Sequence, residues 1–134
     1  MSARHFKELE VWQLAMILTK KIYELTSGFP REERYGLSSQ LQRAAVSIPS
    51  NIAESNARTS TKDYARFVSI ALGSSAELET QLLLSKELNL GDDGLRDEAL
   101  LFCERSGQML SRLHQALTHK LESDPRVPSP ESRI

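Results

Sequence analysis

The chain is poor in the residues that build disulfide, metal or membrane architectures. It has one cysteine, Cys103, so an intrachain disulfide framework and a multi-cysteine zinc site are both excluded. Aromatic residues are 6% of 134 positions, and no apolar run approaches the roughly 18 to 20 residues that cross a bilayer. The N-terminal segment Met1 to Glu10 is polar and has no apolar h-region, so export is not expected and the chain is read as cytoplasmic, with no membrane partner. Neither sign of charge dominates. Lys and Arg number 17 and Asp and Glu 18, a formal net charge of −1, which is not the footprint of a nucleic-acid-binding polycation.

Recognisable chemistry is equally scarce. There is no phosphate-binding glycine loop, dinucleotide fingerprint or His-Glu-x-x-His pair, and no Glu-x-x-His of the kind that holds two metals inside a bundle. His114 and His119 are five apart, off the i, i+4 face that a chelate prefers, and His5 sits in the polar N-terminus. Cys103 follows Phe102 in an apolar phase and reads as a small packing residue. No enzyme, metal or cofactor is expected.

What is present is aliphatic helix. Hydrophobic residues are 40% and charged residues 26%, a globular balance, and glycine and proline divide the chain into four long stretches. In the first, Glu8 to Thr26, Trp12, Ala15, Met16, Thr19, Ile22 and Tyr23 keep the spacing of one helical face, with Leu14, Leu18 and Leu25 as a second apolar edge. Ser27-Gly28-Phe29-Pro30 ends it. In the second, Glu32 to Ala57, Leu37, Leu41, Ala44, Ala45, Ile48 and Ile52 form a stripe that carries across Pro49. That proline deletes one backbone hydrogen bond and crowds the carbonyl of Ala45, so a kink is expected rather than two short helices.

The third stretch, capped by Ser60 or Thr61, repeats Tyr64, Phe67, Val68, Ala71, Ser75, Leu78 and Leu82 and ends near Asn89. A turn at Leu90-Gly91-Asp92-Asp93-Gly94 leads to the fourth, with Leu95, Ala99, Phe102, Ser106, Leu110, Leu113, Leu117 and Leu121 on one face. Gly73-Ser74-Ser75 in mid-helix implies close approach by another backbone, because glycine there costs about 1 kcal/mol relative to alanine. The expectation is an all-α, antiparallel up-down-up-down four-helix bundle over residues 1–122, kinked in its second helix near Pro49, and a proline-rich disordered tail over 123–134.

Two surface features stand out. Arg43, Ser47, Asn51, Glu54 and Arg58 are spaced four, four, three and four apart, one row on the second helix away from its apolar stripe. The row is either a solvated or structural polar face, with Glu77 and Glu79 of the third helix as carboxylate partners, or a donor set for phosphates. Apolar residues also lie off the main stripes: Val11, Leu14, Leu18 and Leu25 on the first helix, Ile70, Ala76, Leu83, Leu84 and Leu88 on the third. Leu14, Leu18, Leu83, Leu84 and Leu88 are the candidate subunit contacts, the alternative being a wide stripe within one subunit.

Phe6-x-x-Leu9-x-Val11-Trp12-x-x-Ala15, Phe29-Pro30, Glu33-Arg34-Tyr35-Gly36-Leu37 and above all Arg43-Ala44-Ala45-x-Ser47-Ile48-Pro49-x-Asn51-Ile52-Ala53-Glu54, followed by Tyr64-x-x-Phe67 and Ala71-x-Gly73-Ser74-x-x-Glu77-Leu78-Glu79-Thr80, resemble the bacterial four-helix-bundle proteins also called 23S rRNA intervening-sequence proteins. The resemblance covers Phe6 to Leu121 and departs from the family at Ser55, where glycine is common. It implies a cytosolic bundle assembling as a homopentamer, with RNA or the ribosome as partner; the alternative is an interaction scaffold for an unidentified protein, without nucleic acid. A related branch, the accessory variability determinants of diversity-generating retroelements, is strongly basic and binds nucleic acid and a reverse transcriptase, and this chain lacks that charge.

Overall fold

Apolar residues three and four positions apart wind the chain into four α-helices, α1 (Glu10–Thr26), α2 (Leu37–Asn56), α3 (Thr61–Glu87) and α4 (Asp93–Glu122), with 3-10 turns at Phe6–Glu8 and Arg31–Glu33. The computed structural model describes residues 5–126; residues 1–4 of the expected domain and 127–134 of the expected tail lie outside the described residues. No strand occurs among the described residues. α1 packs on α2 and α4, and α3 on the same two helices. Ser47 meets Ser74 while Gln40 and Gln81 line the same groove, so α2 and α3 run antiparallel. This is the four-helix bundle that the periodicity predicts, and among the described residues no helix is long and apolar enough to cross a membrane.

Local chemistry sets the helix ends. Ser60 Oγ accepts from Asp63 N–H at 3.1 Å and Asp92 Oδ2 from Leu95 N–H at 2.9 Å, each satisfying an orphan donor of a first turn. α2 starts later than the periodicity suggests: Gly36, at φ −109° and ψ −116°, separates it from the preceding 3-10 turn. α4 starts earlier, at Asp93, so Gly94 lies inside the helix rather than in the turn. α3 closes with Asn89 in the left-handed region at φ 55°, Leu90 N–H reaching Ser85 O at 2.9 Å and Asn89 N–H reaching Lys86 O at 3.1 Å. This is a Schellman closure with asparagine in the usual glycine place. Gly91 follows at φ 80°, and a Cβ there would stand 2.6 Å from the Phe29 ring and 2.7 Å from Leu25 Cδ1. Glycine is required at that position by both conformation and space.

α2 passes through Pro49 without a break, so two short helices are excluded. The hydrogen bond that proline deletes leaves the Ala45 carbonyl without its helical partner. Thr19 on α1 reaches it: its Oγ1 stands 3.1 Å from Ala45 O and 2.8 Å from Ala15 O, sharing one proton between a carbonyl of its own helix and the orphan carbonyl of its neighbour.

Two expectations need correction. The buried face of α1 is Val11, Ala15, Leu18, Ile22 and Leu25, whereas Met16 and Tyr23 are about half exposed. Leu18 is therefore an intramolecular core residue and not a subunit contact, and Leu14 is only partly covered. Ala15 and Ile22 of the expected face border the Leu18 edge, so the buried stripe is turned toward that edge, and packing against α2 and α4 decides it. Gly73, second, faces open space, and the close approach of α3 to α4 occurs instead at Gly107, where a Cβ would meet Ser75 Oγ at 3.2 Å.

Arg96 is the feature the spacing hid. It is 1% exposed, one turn into α4. Its Nε donates to Ser85 Oγ at 3.2 Å, one terminal nitrogen donates to Asp93 Oδ1 at 2.6 Å, and the other to the carbonyls of Leu90 and Gly91. A single guanidinium thus satisfies the backbone of the α3–α4 turn. Lys21 adds a tie between α1 and α4, 2.7 Å from Glu98 Oε2 and 5.2 Å from the Phe102 ring centre.

Candidate functional site

The polar row of α2 faces α3 along a seam, and its members behave differently. Ser47 Oγ and Ser74 Oγ share a hydrogen bond of 2.7 Å. Asn51 Nδ2 donates to Ser47 O at 2.8 Å and to Ser47 Oγ at 3.0 Å. The middle of the row is thus a helix-to-helix clasp. Arg58 lies two residues past the end of α2, not on its face as the row implied, and turns back to Glu54 Oε2 at 2.6 Å, an exposed pair.

Arg43 is exposed and has no ion pair or side-chain hydrogen bond among the described residues. It lines a groove of about 410 Å³ with Gln40, Ser47, Ser74, Glu77 and Gln81. Glu77 likewise has no pairing cation among the described residues. Gln81 is 7% exposed and its Oε1 has no hydrogen-bond partner. The groove therefore presents a free cation, a free carboxylate and an unsatisfied buried acceptor, the last of which costs free energy while it stays unpaired.

Glu79 does not join this group. It lines a separate groove of about 310 Å³ between α3 and α4 with Cys103, Glu104 and Gly107. The three carboxylates thus part company: Glu54 pairs with Arg58, Glu77 faces α2 and Glu79 faces α4. Cys103 is buried, as its apolar phase implies; its thiol donates to Ser75 O at 3.4 Å and burial pushes its pKa up to about 11. Among the described residues no cluster of His, Cys, Asp and Glu could hold a metal ion.

Two signals flank the seam. Toward the α2–α3 connection the guanidinium carbons of Arg58 and Arg66 each lie 4.5 Å from the centre of the Phe67 ring, with exposed Lys62 one turn away. Burial pushes the phenol of Tyr64, in the same turn of α3, above its ordinary value. Toward the other end, Ile70, Ser74, Glu77, Gln81, Leu84 and Leu88 follow one another four, three, four, three and four apart on α3. Ile70 is 41%, Leu84 46% and Leu88 54% exposed. Such a spacing is the a/d register of a helix seam. Leu83, also half exposed, lies four residues after Glu79 and so continues the α3–α4 side instead.

The family model described as 23S rRNA-intervening sequence protein matches residues 7–112, which takes in α1, α2, α3 and most of α4. The chain belongs to this family. None of the curated proteins compared matches it. In this 23S rRNA-intervening sequence protein the matched region contains both walls of the seam and the arginine-flanked Phe67.

Proposed function

We propose that the protein is a non-enzymatic, self-assembling helical scaffold of the cytoplasm, in which copies of the chain associate through the α2–α3 seam. The observation that carries this reading is the row Ile70, Leu84 and Leu88, exposed in a/d register on either side of the unsatisfied Gln81. A second copy suits the groove because the groove is self-complementary in charge: Arg43 of one copy can meet Glu77 of another, and a donor from the neighbour can satisfy Gln81 Oε1. The separation of Glu54, Glu77 and Glu79 supports a non-enzymatic role, since general acid–base chemistry needs convergent groups. The family resemblance implies a homopentamer. Light scattering over a dilution series tests the reading; a monomer at every concentration rejects it.

RNA or the ribosome is the second partner proposed, favoured by the family's description and by Arg58, Lys62 and Arg66 around Phe67. Phosphate contacts from such cations weaken steeply as salt rises. Filter binding of rRNA fragments at low salt should therefore show retention that falls on adding salt. No retention leaves a protein-recruiting scaffold in its place, and capture of a partner from nuclease-treated lysate checks that alternative.

A further inference from the structure

Where α1 hands over to α2 the surface holds a recess of about 500 Å³ whose lining contains no carboxylate. Its hydroxyl donors divide into two sets. Thr26 Oγ1 donates to Ile22 O at 2.8 Å and Ser27 Oγ to Glu24 O at 2.7 Å, so both protons are committed to the carbonyl end of α1. Gln42 Nε2 is committed to Thr26 Oγ1 at 3.0 Å. Ser38 is different. It lines the recess, and its hydroxyl makes no hydrogen bond among the described residues, so its proton is uncommitted.

The charge around it is all of one sign. Arg31 and Arg34 both line the recess, and among the described residues neither has a carboxylate partner. Arg34 only rests 5.9 Å from the centre of the exposed Tyr35 ring. Glu33, between them in sequence, does not line the recess; its Oε2 accepts from Leu37 N–H at 3.4 Å and so covers the first turn of α2. Tyr23, Phe29 and Pro30 supply a flat, apolar side.

We infer that this recess binds the phosphomonoester of a small molecule, with Arg31 and Arg34 gripping the phosphate, Ser38 donating from beneath it, and the organic part lying against Tyr23 and Pro30. Two guanidinium forks and a hydroxyl match a tetrahedral dianion, and the missing carboxylates leave its charge unopposed. The inference is independent of self-assembly and of RNA association.

Calorimetric titration of the full chain with adenosine 5′-monophosphate tests it, with adenosine and inorganic phosphate as further probes. Saturable binding is expected, with adenosine weaker by at least about tenfold and inorganic phosphate competing. The exposed double change Arg31→Gln with Arg34→Gln should retain its helical circular dichroism and lose at least about tenfold in affinity, because two charge-assisted contacts go. Ser38→Ala should lose a few-fold, and Lys120→Gln, exposed near the end of α4, nothing. No binding to the wild-type chain, adenosine binding as tightly as its phosphate, undiminished affinity in the double variant, or an equal loss in Lys120→Gln would each overturn the inference.

Discussion

Replacing Arg96 by methionine keeps the length of its stem but removes the guanidinium that Ser85 Oγ, Leu90 O, Gly91 O and Asp93 share. The carbonyls of the α3–α4 turn then lose their charged donor, and we predict a loss of about 2 to 4 kcal/mol in denaturant unfolding. Nothing in the hydropathy pattern announced this residue, because burial of an arginine depends on acceptors gathered by a turn, and two of those acceptors are backbone carbonyls. A second residue prediction concerns pH. The thiol of Cys103 has its pKa raised to about 11 by burial, against 9.0 for the free group. The unfolded chain therefore gives up this proton first, and between pH 9 and 11 it binds fewer protons than the native state. Stability should fall as pH rises through that window, by on the order of 2 to 3 kcal/mol at its upper end. Equilibrium unfolding at stepped pH checks the sign, and Cys103→Ala should flatten that part of the curve.

At the level of elements, the clearest test is the pairing of Thr19 with Pro49. Thr19→Val keeps the shape of the side chain and leaves the Ala45 carbonyl without a donor, at a cost of about 1 to 2 kcal/mol. Pro49→Ala supplies an N–H within α2 that can take that carbonyl. In the double variant the threonine change should therefore cost less than in the wild-type background, by about 1 kcal/mol, and additive effects would reject the compensation. Sequence spacing located all four helices, because their apolar repeats are long and proline and glycine punctuate them at few places. It found Pro49 and named Ala45 as the carbonyl affected, but not the donor, which comes from another helix. It misjudged the facing of α1 for a related reason: Ala15 and Ile22 lie between the two apolar edges, and only the helices alongside select Leu18 over Met16. The polar row was legible as a row, since i, i+3 and i+4 spacing is local. Its division into a Ser47–Ser74 clasp and an unpaired Arg43 depends on the register between α2 and α3, which no single helix encodes.

For the whole molecule, the leucines at the end of α3 separate folding from assembly. Leu84 and Leu88 are about half exposed within one subunit, so a charge at either position remains solvated there and the bundle has little reason to unfold. Between copies the same charge would be buried in an apolar seam without a partner, a cost of several kcal/mol per site. Leu84→Glu combined with Leu88→Glu should therefore leave helical circular dichroism and thermal unfolding of the subunit nearly unchanged, while light scattering shows the assembly reduced to single chains. Leu83→Glu faces the α3–α4 side and should leave a seam-based assembly intact, which makes it the control. Dissociation by Leu83→Glu and persistence with the double variant would move the interface to the other side of α3, to the face that carries Glu79 and Glu104. Loss of helicity in either variant would instead place these leucines inside the fold.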